Sequence, residues 1–85
     1  MSRAVTPELA LAYLRELSSD VRAARVRDGE GRVLAGDAEL AGEVVAGRAG
    51  GVEVGLVLGA RSLPVLARHD AGVVARALAA EASRA

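Results

Sequence analysis

The 85-residue sequence predicts an α+β fold, with an antiparallel β-sheet of about three to five strands flanked by helices. Three observations support this prediction. An amphipathic helical pattern follows Thr6-Pro7, a glycine-rich turn at residues 28–31 separates two short strand patterns, and residues 52–58 form an apolar strand pattern. The predicted order is helix, strand, strand, helix, strand, a segment that is either a strand or a helical turn, and helix.

The first predicted helix begins at Pro7 and ends near Ser18. Thr6 can accept a hydrogen bond from a free N–H of the first turn, and the proline ring already has the backbone angle of a first helical position. Leu11 falls outside the apolar arc of this helix and is expected at the surface or in a contact. The arc itself is expected to face the core and contains Leu9, Ala10, Tyr13, Leu14 and Leu17.

A β-hairpin is predicted next. Residues 21–27 alternate with a period of two, although imperfectly, and residues 32–36 resume as a short apolar strand. Asp28-Gly29-Glu30-Gly31 lies between them and supplies residue types that tolerate positive φ angles. Such a turn between two short strand patterns is typical of a hairpin.

A second helix is predicted from Asp37, as its N-cap, to Gly47, which ends it. Gly42 lowers the stability of such a helix by about 1 kcal/mol relative to alanine, so packing is expected to hold it in place. The apolar residues gathered on one face of this helix are Leu40, Ala41, Val44 and Val45.

Residues 52–58 form the best strand pattern of the sequence, because they are rich in β-branched residues and end almost wholly apolar. We expect the second half of this strand to be central and buried. Gly55 inside the strand indicates a bulge or a close approach of another segment to the backbone.

Residues 61–68 fit an edge strand or a helical turn. If one helix ran from Leu63 to Ser83, Asp70 would lie in the middle of its apolar face, which is costly for a charge. We therefore expect a break, with Asp70 as the N-cap of a final helix from Ala71 to about Ser83. Its expected core face contains Val73, Val74, Ala77 and Leu78.

The composition predicts a marginally stable monomer. A chain of this length buries only about 60% of the surface that its unfolded form exposes, and its only aromatic residue is Tyr13. Small domains commonly gain stability from disulfides, a metal or a second subunit. The sequence has no cysteine and one histidine, so a second subunit is the device that we expect.

The charge pattern argues against two classes of partner. Eleven positive residues, all arginine, balance eleven acidic residues, and no basic stripe or aromatic platform for nucleic acid is present. No apolar run is long enough to span a bilayer, and no export signal stands out, so we expect a cytoplasmic protein that binds neither nucleic acid nor membrane. Arginine in place of lysine, with abundant alanine, glycine and valine, is typical of a GC-rich bacterial genome.

The sequence offers no clear catalytic, cofactor or metal site, and we expect a protein that is not an enzyme. His69 beside Asp70 resembles a positioned imidazole, but no nucleophile pattern accompanies the pair. Asp28, Glu30 and Asp37 have some of the spacing of a calcium loop and lack its closing acidic residue. The glycines form neither a dinucleotide fingerprint nor a phosphate loop.

The order of elements resembles that of the roadblock/LC7 family, whose fold is similar to that of profilin. The resemblance rests on the first helix at residues 9–17, the hairpin at residues 27–37 and the segment at residues 63–70, and it covers most of the chain as one domain, residues 1–85. The family normally has one strand more than this sequence provides after the second predicted helix.

The resemblance implies a non-catalytic, protein-binding module that forms homodimers or heterodimers and serves as a regulator or scaffold of a small GTPase or a motor assembly. A homodimer built around the second helix and the adjoining strand is expected. The alternative is a small-ligand sensor domain of profilin- or PAS-like architecture, which would need a pocket of several hundred Å³. The implied interface residues are Leu40, Val44, Val45, Val52 and Val54.

Overall fold

Four antiparallel strands and two helices form the fold, as seen in a computed structural model that describes residues 6–17 and 20–84. The α+β prediction is confirmed, with the observed order α-β-β-β-β-α. The strands are arranged in the order β2-β1-β4-β3. The elements are α1 (Pro7–Leu17), β1 (Val21–Asp28), β2 (Val33–Gly36), β3 (Val44–Ala49), β4 (Val52–Leu58) and α2 (Pro64–Arg84).

Both helices pack on the same face of the sheet. Helix α1 lies over β1 and β2, α2 lies over β3 and β4, and the two helices contact each other. The core therefore forms between one helical layer and one face of the sheet. Its largest fully buried side chains are Leu14, Val26, Val54 and Leu56. Three alanines of α2, namely Ala67, Ala71 and Ala75, are buried against them and let the helix lie close to the sheet.

The predicted hairpin and the predicted apolar strand are confirmed. Strands β1 and β2 pair across the glycine-rich turn, with an irregularity in register between Val26 and Arg27. Strand β4 is central, between β1 and β3. A second hairpin joins β3 to β4 through Gly50 and Gly51, whose φ angles of 49° and 82° are those of a tight two-residue turn.

The predicted second helix is wrong, because residues 37–43 form an irregular crossover and Val44–Ala49 is β3. The crossover joins the two opposite edges of the sheet, which are three strand spacings or roughly 14 Å apart. Seven helical residues would span only about 10 Å, which is too short for this distance. Seven extended residues reach more than 20 Å, so the crossover needs about 60% of its extended length to join the two edges. Gly42 has a φ angle of +108°, which a helix does not allow.

The predicted break at Asp70 is also wrong, since α2 is one continuous helix that begins at Pro64. The carboxylate avoids the core because it lies half-buried beside an open groove between the helices, lined by Leu17, Leu63 and Leu66. The charge therefore stays in contact with water. Neither described helix is long and apolar enough to cross a bilayer.

The core face of α1 differs in part from the prediction. Ala10 and Leu14 are buried as expected, and Leu11 is buried as well, against Gly36 of β2. Helix α1 rests on β1 and β2 at one side of the sheet, and this placement turns the Leu11 side inward. Three residues of the predicted arc are instead about half exposed: Leu9, Tyr13 and Leu17. Val73 and Ala77 of α2 are likewise exposed, whereas Val74 and Leu78 are buried. The predicted end of α1 at Ser18 lies outside the described residues.

Candidate functional site

The face of the sheet opposite the helices has an apolar half and a charged half. The crossover covers the apolar half: Leu40 lies over Gly55, with its Cδ1 3.0 Å from where a Cβ on that glycine would be. Val44 Cγ1 lies 3.3 Å from the same point. Gly55 is therefore a place of close approach, as its position inside a strand predicted.

The charged half contains three arginines around one glutamate, which we name the arginine cluster: Arg25, Arg27, Arg48 and Glu53. Arg27, Glu53 and Arg48 lie directly opposite one another on three neighbouring strands. Arg27 Nε lies 2.5 Å from Glu53 Oε1, and Arg48 Nε donates a hydrogen bond of 2.6 Å to Glu53 Oε2. Arg25 Nη2 lies 3.9 Å from Oε1. One carboxylate therefore holds two guanidinium groups in fixed positions.

The electrostatics of the arginine cluster keep Glu53 ionised. The hydrogen bond from Arg27 lowers the pKa of this carboxyl, burial opposes that shift, and the bond from Arg48 lowers the pKa further. Glu53 is only 8% exposed, so its charge is accommodated by these partners and not by water. Three positive charges less one negative charge leave the cluster with a net charge of +2.

An open cleft of about 630 Å³ borders the arginine cluster, between the tips of the two hairpins. Arg27, Arg48 and Glu53 line it together with the turn residues Asp28, Gly29, Gly31, Gly50 and Gly51 and the neighbouring Ala49 and Val52. The glycines at the two hairpin tips have no side chains that project into the cleft, so a ligand has room to approach the backbone.

The carboxylates that suggested a calcium loop have other partners. Asp28 Oδ1 accepts hydrogen bonds of 2.9 Å from the backbone N–H groups of Glu30 and Arg32, and the Arg32 bond is the main cause that lowers the pKa of Asp28. Asp37 Oδ2 accepts a bond of 3.1 Å from the Ala24 N–H. Asp28 thus stabilises the β1–β2 turn, and Asp37 fixes the start of the crossover. No group of three potential ligands for a metal ion occurs among the described residues.

The two edges of the sheet are unequal. Strand β2 has four residues and an irregular register, whereas β3 has six residues in unbroken register with β4. Ala49 and Val52 close the two-residue turn and form a hydrogen-bonded pair, and hydrogen-bonded and non-hydrogen-bonded pairs then alternate along the two strands. In the non-hydrogen-bonded pairs, the N–H and C=O groups of the β3 residue point away from β4. These residues are Val44, Ala46 and Arg48, which we name the β3 edge.

The predicted interface residues are divided between the two faces of the sheet. Leu40 and Val44 lie on the face opposite the helices, half-buried and 40% exposed respectively. The other three face the helices: Val45 and Val54 are buried in the core, and Val52 packs against it. His69 is exposed on α2, one residue before Asp70.

The sequence reasoning missed the arginine cluster, although two signals for it were present. The period-two pattern placed Arg25 and Arg27 on one side of β1, and Glu53 is the single charge in an otherwise apolar strand. A charge inside a central strand calls for a partner of opposite sign on a neighbouring strand.

Compared with known proteins, the chain gives no significant match to a family model, a curated protein or a solved structure. Its function is therefore inferred from the β3 edge and the arginine cluster.

Proposed function

We propose that this chain is a non-catalytic protein-binding module that forms a homodimer by pairing the β3 edges of two copies. The observation that carries the proposal is the open edge of β3. An edge strand offers a row of unpaired N–H and C=O groups to another chain, and proteins usually protect such edges with lysine, proline, a bulge or a short strand. Strand β3 has no lysine, proline or bulge, and its one charged side chain, Arg48, is bonded to Glu53, whereas β2 is short and irregular.

Two further features favour the β3 edge as the interface. Val44 is a large apolar side chain that is 40% exposed at the start of β3, and Leu40 lies beside it over Gly55. Pairing of two β3 strands would satisfy the outward backbone groups and bury this apolar surface in one step. The small core of the chain also makes a second subunit a natural source of stability.

The dimer would serve as a regulator or scaffold in the cytoplasm. The first helix and the β1–β2 hairpin agree with the roadblock/LC7 resemblance, which supports this role and suggests a small GTPase or another protein as the partner. The second helix of that family is replaced in this chain by the crossover and β3. Two copies joined by antiparallel pairing of β3 would form one sheet of eight strands, twice the four strands of each copy, with the helices of both copies on the same face. Such a sheet presents a broad surface opposite the helices to a protein partner.

Sedimentation equilibrium tests this proposal with a matched pair of variants. Val44→Lys places a charged, edge-protecting side chain on β3, and Leu34→Lys makes the same change on β2, where the leucine is 41% exposed. We expect the wild type and Leu34→Lys to be dimers and Val44→Lys to be a monomer. A lysine at either position can keep its aliphatic stem on the protein and its amine in water, so both variants should fold.

The proposal fails if the wild type stays monomeric at high micromolar concentration and unfolds cooperatively. If Leu34→Lys abolishes the dimer and Val44→Lys does not, the interface is at β2 and the proposed pairing of the β3 edges is wrong. Far-ultraviolet circular dichroism of all three proteins separates a lost interface from a lost fold.

A further inference from the structure

The arginine cluster has more positive charge than its own carboxylate can neutralise. Three guanidinium groups lie within 3.9 Å of Glu53 and give the cluster a net charge of +2; two of them, Arg27 and Arg48, line the cleft. Asp28 also lines the cleft, but its carboxylate already accepts hydrogen bonds from Arg32 and the turn backbone. Like charges placed this close repel each other unless an anion lies among them.

The geometry of the two outer arginines leaves their terminal nitrogens for a second acceptor. Arg27 and Arg48 each contact Glu53 through Nε, at 2.5 and 2.6 Å. A guanidinium group has five donors in a fixed plane, so this contact sets the plane and leaves the Nη edge for another oxyanion. Arg48 is 75% exposed and Arg27 is 36% exposed, so both edges are accessible from the cleft.

Arg25 adds a third positive charge to the cluster from a more buried position. Its side chain is 15% exposed, and its Nε is buried without a hydrogen-bond partner. A buried guanidinium with an unmade hydrogen bond raises the local positive potential, because little water screens it. An anion bound between Arg27 and Arg48 would be stabilised by this third charge.

The charge of the cluster selects among oxyanions. A phosphate monoester has a charge of about −1.5 to −2 at neutral pH and three oxygens for charged hydrogen bonds, whereas a carboxylate or a phosphodiester has only one negative charge. The cleft of about 630 Å³ is large enough for a phosphate group with its substituent. The monoester is therefore the anion whose charge matches that of the cluster.

We propose that the arginine cluster binds a phosphate monoester, with Arg27 and Arg48 as the two contacting side chains and Glu53 as the residue that positions them. The site shares Arg48 with the β3 edge of the proposed dimer. Arg25 and Arg27 lie on β1, away from that edge, so Arg27 tests the site separately from the dimer. The shared chemistry leaves two sources for the ligand, a free small-molecule phosphate ester or a phosphorylated side chain of another protein.

Nuclear magnetic resonance titration with inorganic phosphate tests the site. We expect saturable shifts of the Arg27 and Arg48 Nε–H signals and of the backbone amides that line the cleft, beyond those caused by chloride at equal ionic strength. Affinity should fall between pH 7.5 and pH 5, because the second pKa of phosphate is about 6 to 7 and the dianion is lost. Glycerol 3-phosphate and N-acetylphosphoserine amide then distinguish the two sources by which of them binds more tightly.

Substitutions of single arginines test whether Arg27 and Arg48 bind the phosphate. Arg48→Gln and Arg27→Gln should each weaken phosphate binding about tenfold or more, since each removes a charged pair of hydrogen bonds. Arg68→Gln, at an exposed position of α2, makes the same charge change away from the cleft and should leave binding unchanged. Arg27 is not on β3, so Arg27→Gln should weaken phosphate binding without changing the oligomeric state.

The proposal is overturned if phosphate causes no shifts beyond those of chloride, or if the shifts lie elsewhere on the protein. It is equally overturned if Arg27→Gln and Arg48→Gln, both folded by circular dichroism, bind phosphate as the wild type does.

Discussion

Glu53 contributes both to the stability of the fold and to the candidate ligand site. Its carboxylate lies in the middle of a central strand, 8% exposed, and is balanced by arginines on both neighbouring strands. Replacing it by glutamine would leave Arg25 largely buried without a counter-charge. We expect Glu53→Gln to lower the free energy of unfolding at pH 7 by about 3 kcal/mol, as measured by urea titration.

The pH dependence of that loss follows from the lowered pKa of Glu53. A carboxyl whose pKa is lower in the folded state contributes stability above its ordinary value of 4.5, and this contribution is lost as the pH falls through the folded pKa. The difference in the free energy of unfolding between the wild type and Glu53→Gln should therefore be constant from pH 7 to about pH 5. It should become smaller below pH 5. A gap that stays constant down to pH 3 would contradict the ion-pair origin of the effect. Glu39→Gln, at an exposed crossover position, is the control and should change stability by less than about 0.5 kcal/mol.

At the scale of elements, the contact between β3 and α2 depends on Gly47, which lies against the backbone of the helix at Gly72. A Cβ on Gly47 would overlap the backbone of Ala71 and Gly72, whereas a Cβ on Gly72 would meet only Arg76 Nη1 at 3.7 Å. The helix backbone therefore rests directly on β3 at Gly47. We expect Gly47→Ala to destabilise the protein by about 3 kcal/mol, because the two elements must move apart.

Gly72→Ala is the matched control, since it adds the same methyl group to the helix residue beside Gly47, on a side where only Arg76 Nη1 lies within 4 Å. It should stabilise the protein by about 0.5–1 kcal/mol, because alanine favours a helix interior over glycine. Thermal unfolding of both variants checks the pair. Equal effects of the same sign would mean that β3 and α2 are not packed as closely as described.

The elements that the sequence predicted correctly are those fixed by local signals. The turn at residues 28–31 and the β-branched residues of β4 determine their structure within a few positions of the chain. The crossover is different, because the spacing of Leu40, Val44 and Val45 fits a helix. The pairing of residues 44–49 with β4, and the distance left for residues 37–43 to span, exclude one. The prediction of a break at Asp70 is wrong for a similar reason, because it also depends on a tertiary contact. The groove that α2 forms with α1 keeps the carboxylate of Asp70 hydrated, and the sequence pattern does not show that groove.

The arginine cluster could not be assembled from the sequence, although its members were visible as separate charges. Arg27 and Arg48 meet at Glu53 because β4 lies between β1 and β3, and that strand order depends on the crossover. The predicted interface divided in the same way, since a strand at residues 44–49 sends Val44 and Val45 to opposite faces, whereas a helix would have kept them together.

At the scale of the whole molecule, the helices cover one face of the sheet and a seven-residue crossover covers part of the other. The core is correspondingly thin, and many of its buried side chains are alanine or valine. A domain of this kind gains a large fraction of its stability from any surface that it buries in a second copy. If β3 pairs with β3, unfolding and dissociation become one linked equilibrium.

The melting temperature should then depend on protein concentration. A hundredfold increase in concentration stabilises a folded dimer by about 2.7 kcal/mol relative to its unfolded chains, which raises the melting temperature by several degrees. Differential scanning calorimetry of the wild type and of Leu34→Lys should show this rise, and Val44→Lys should melt at one temperature throughout the range. A wild-type melting temperature that is independent of concentration, at concentrations where sedimentation finds a dimer, would mean that the β3 interface forms without supporting the fold of each copy.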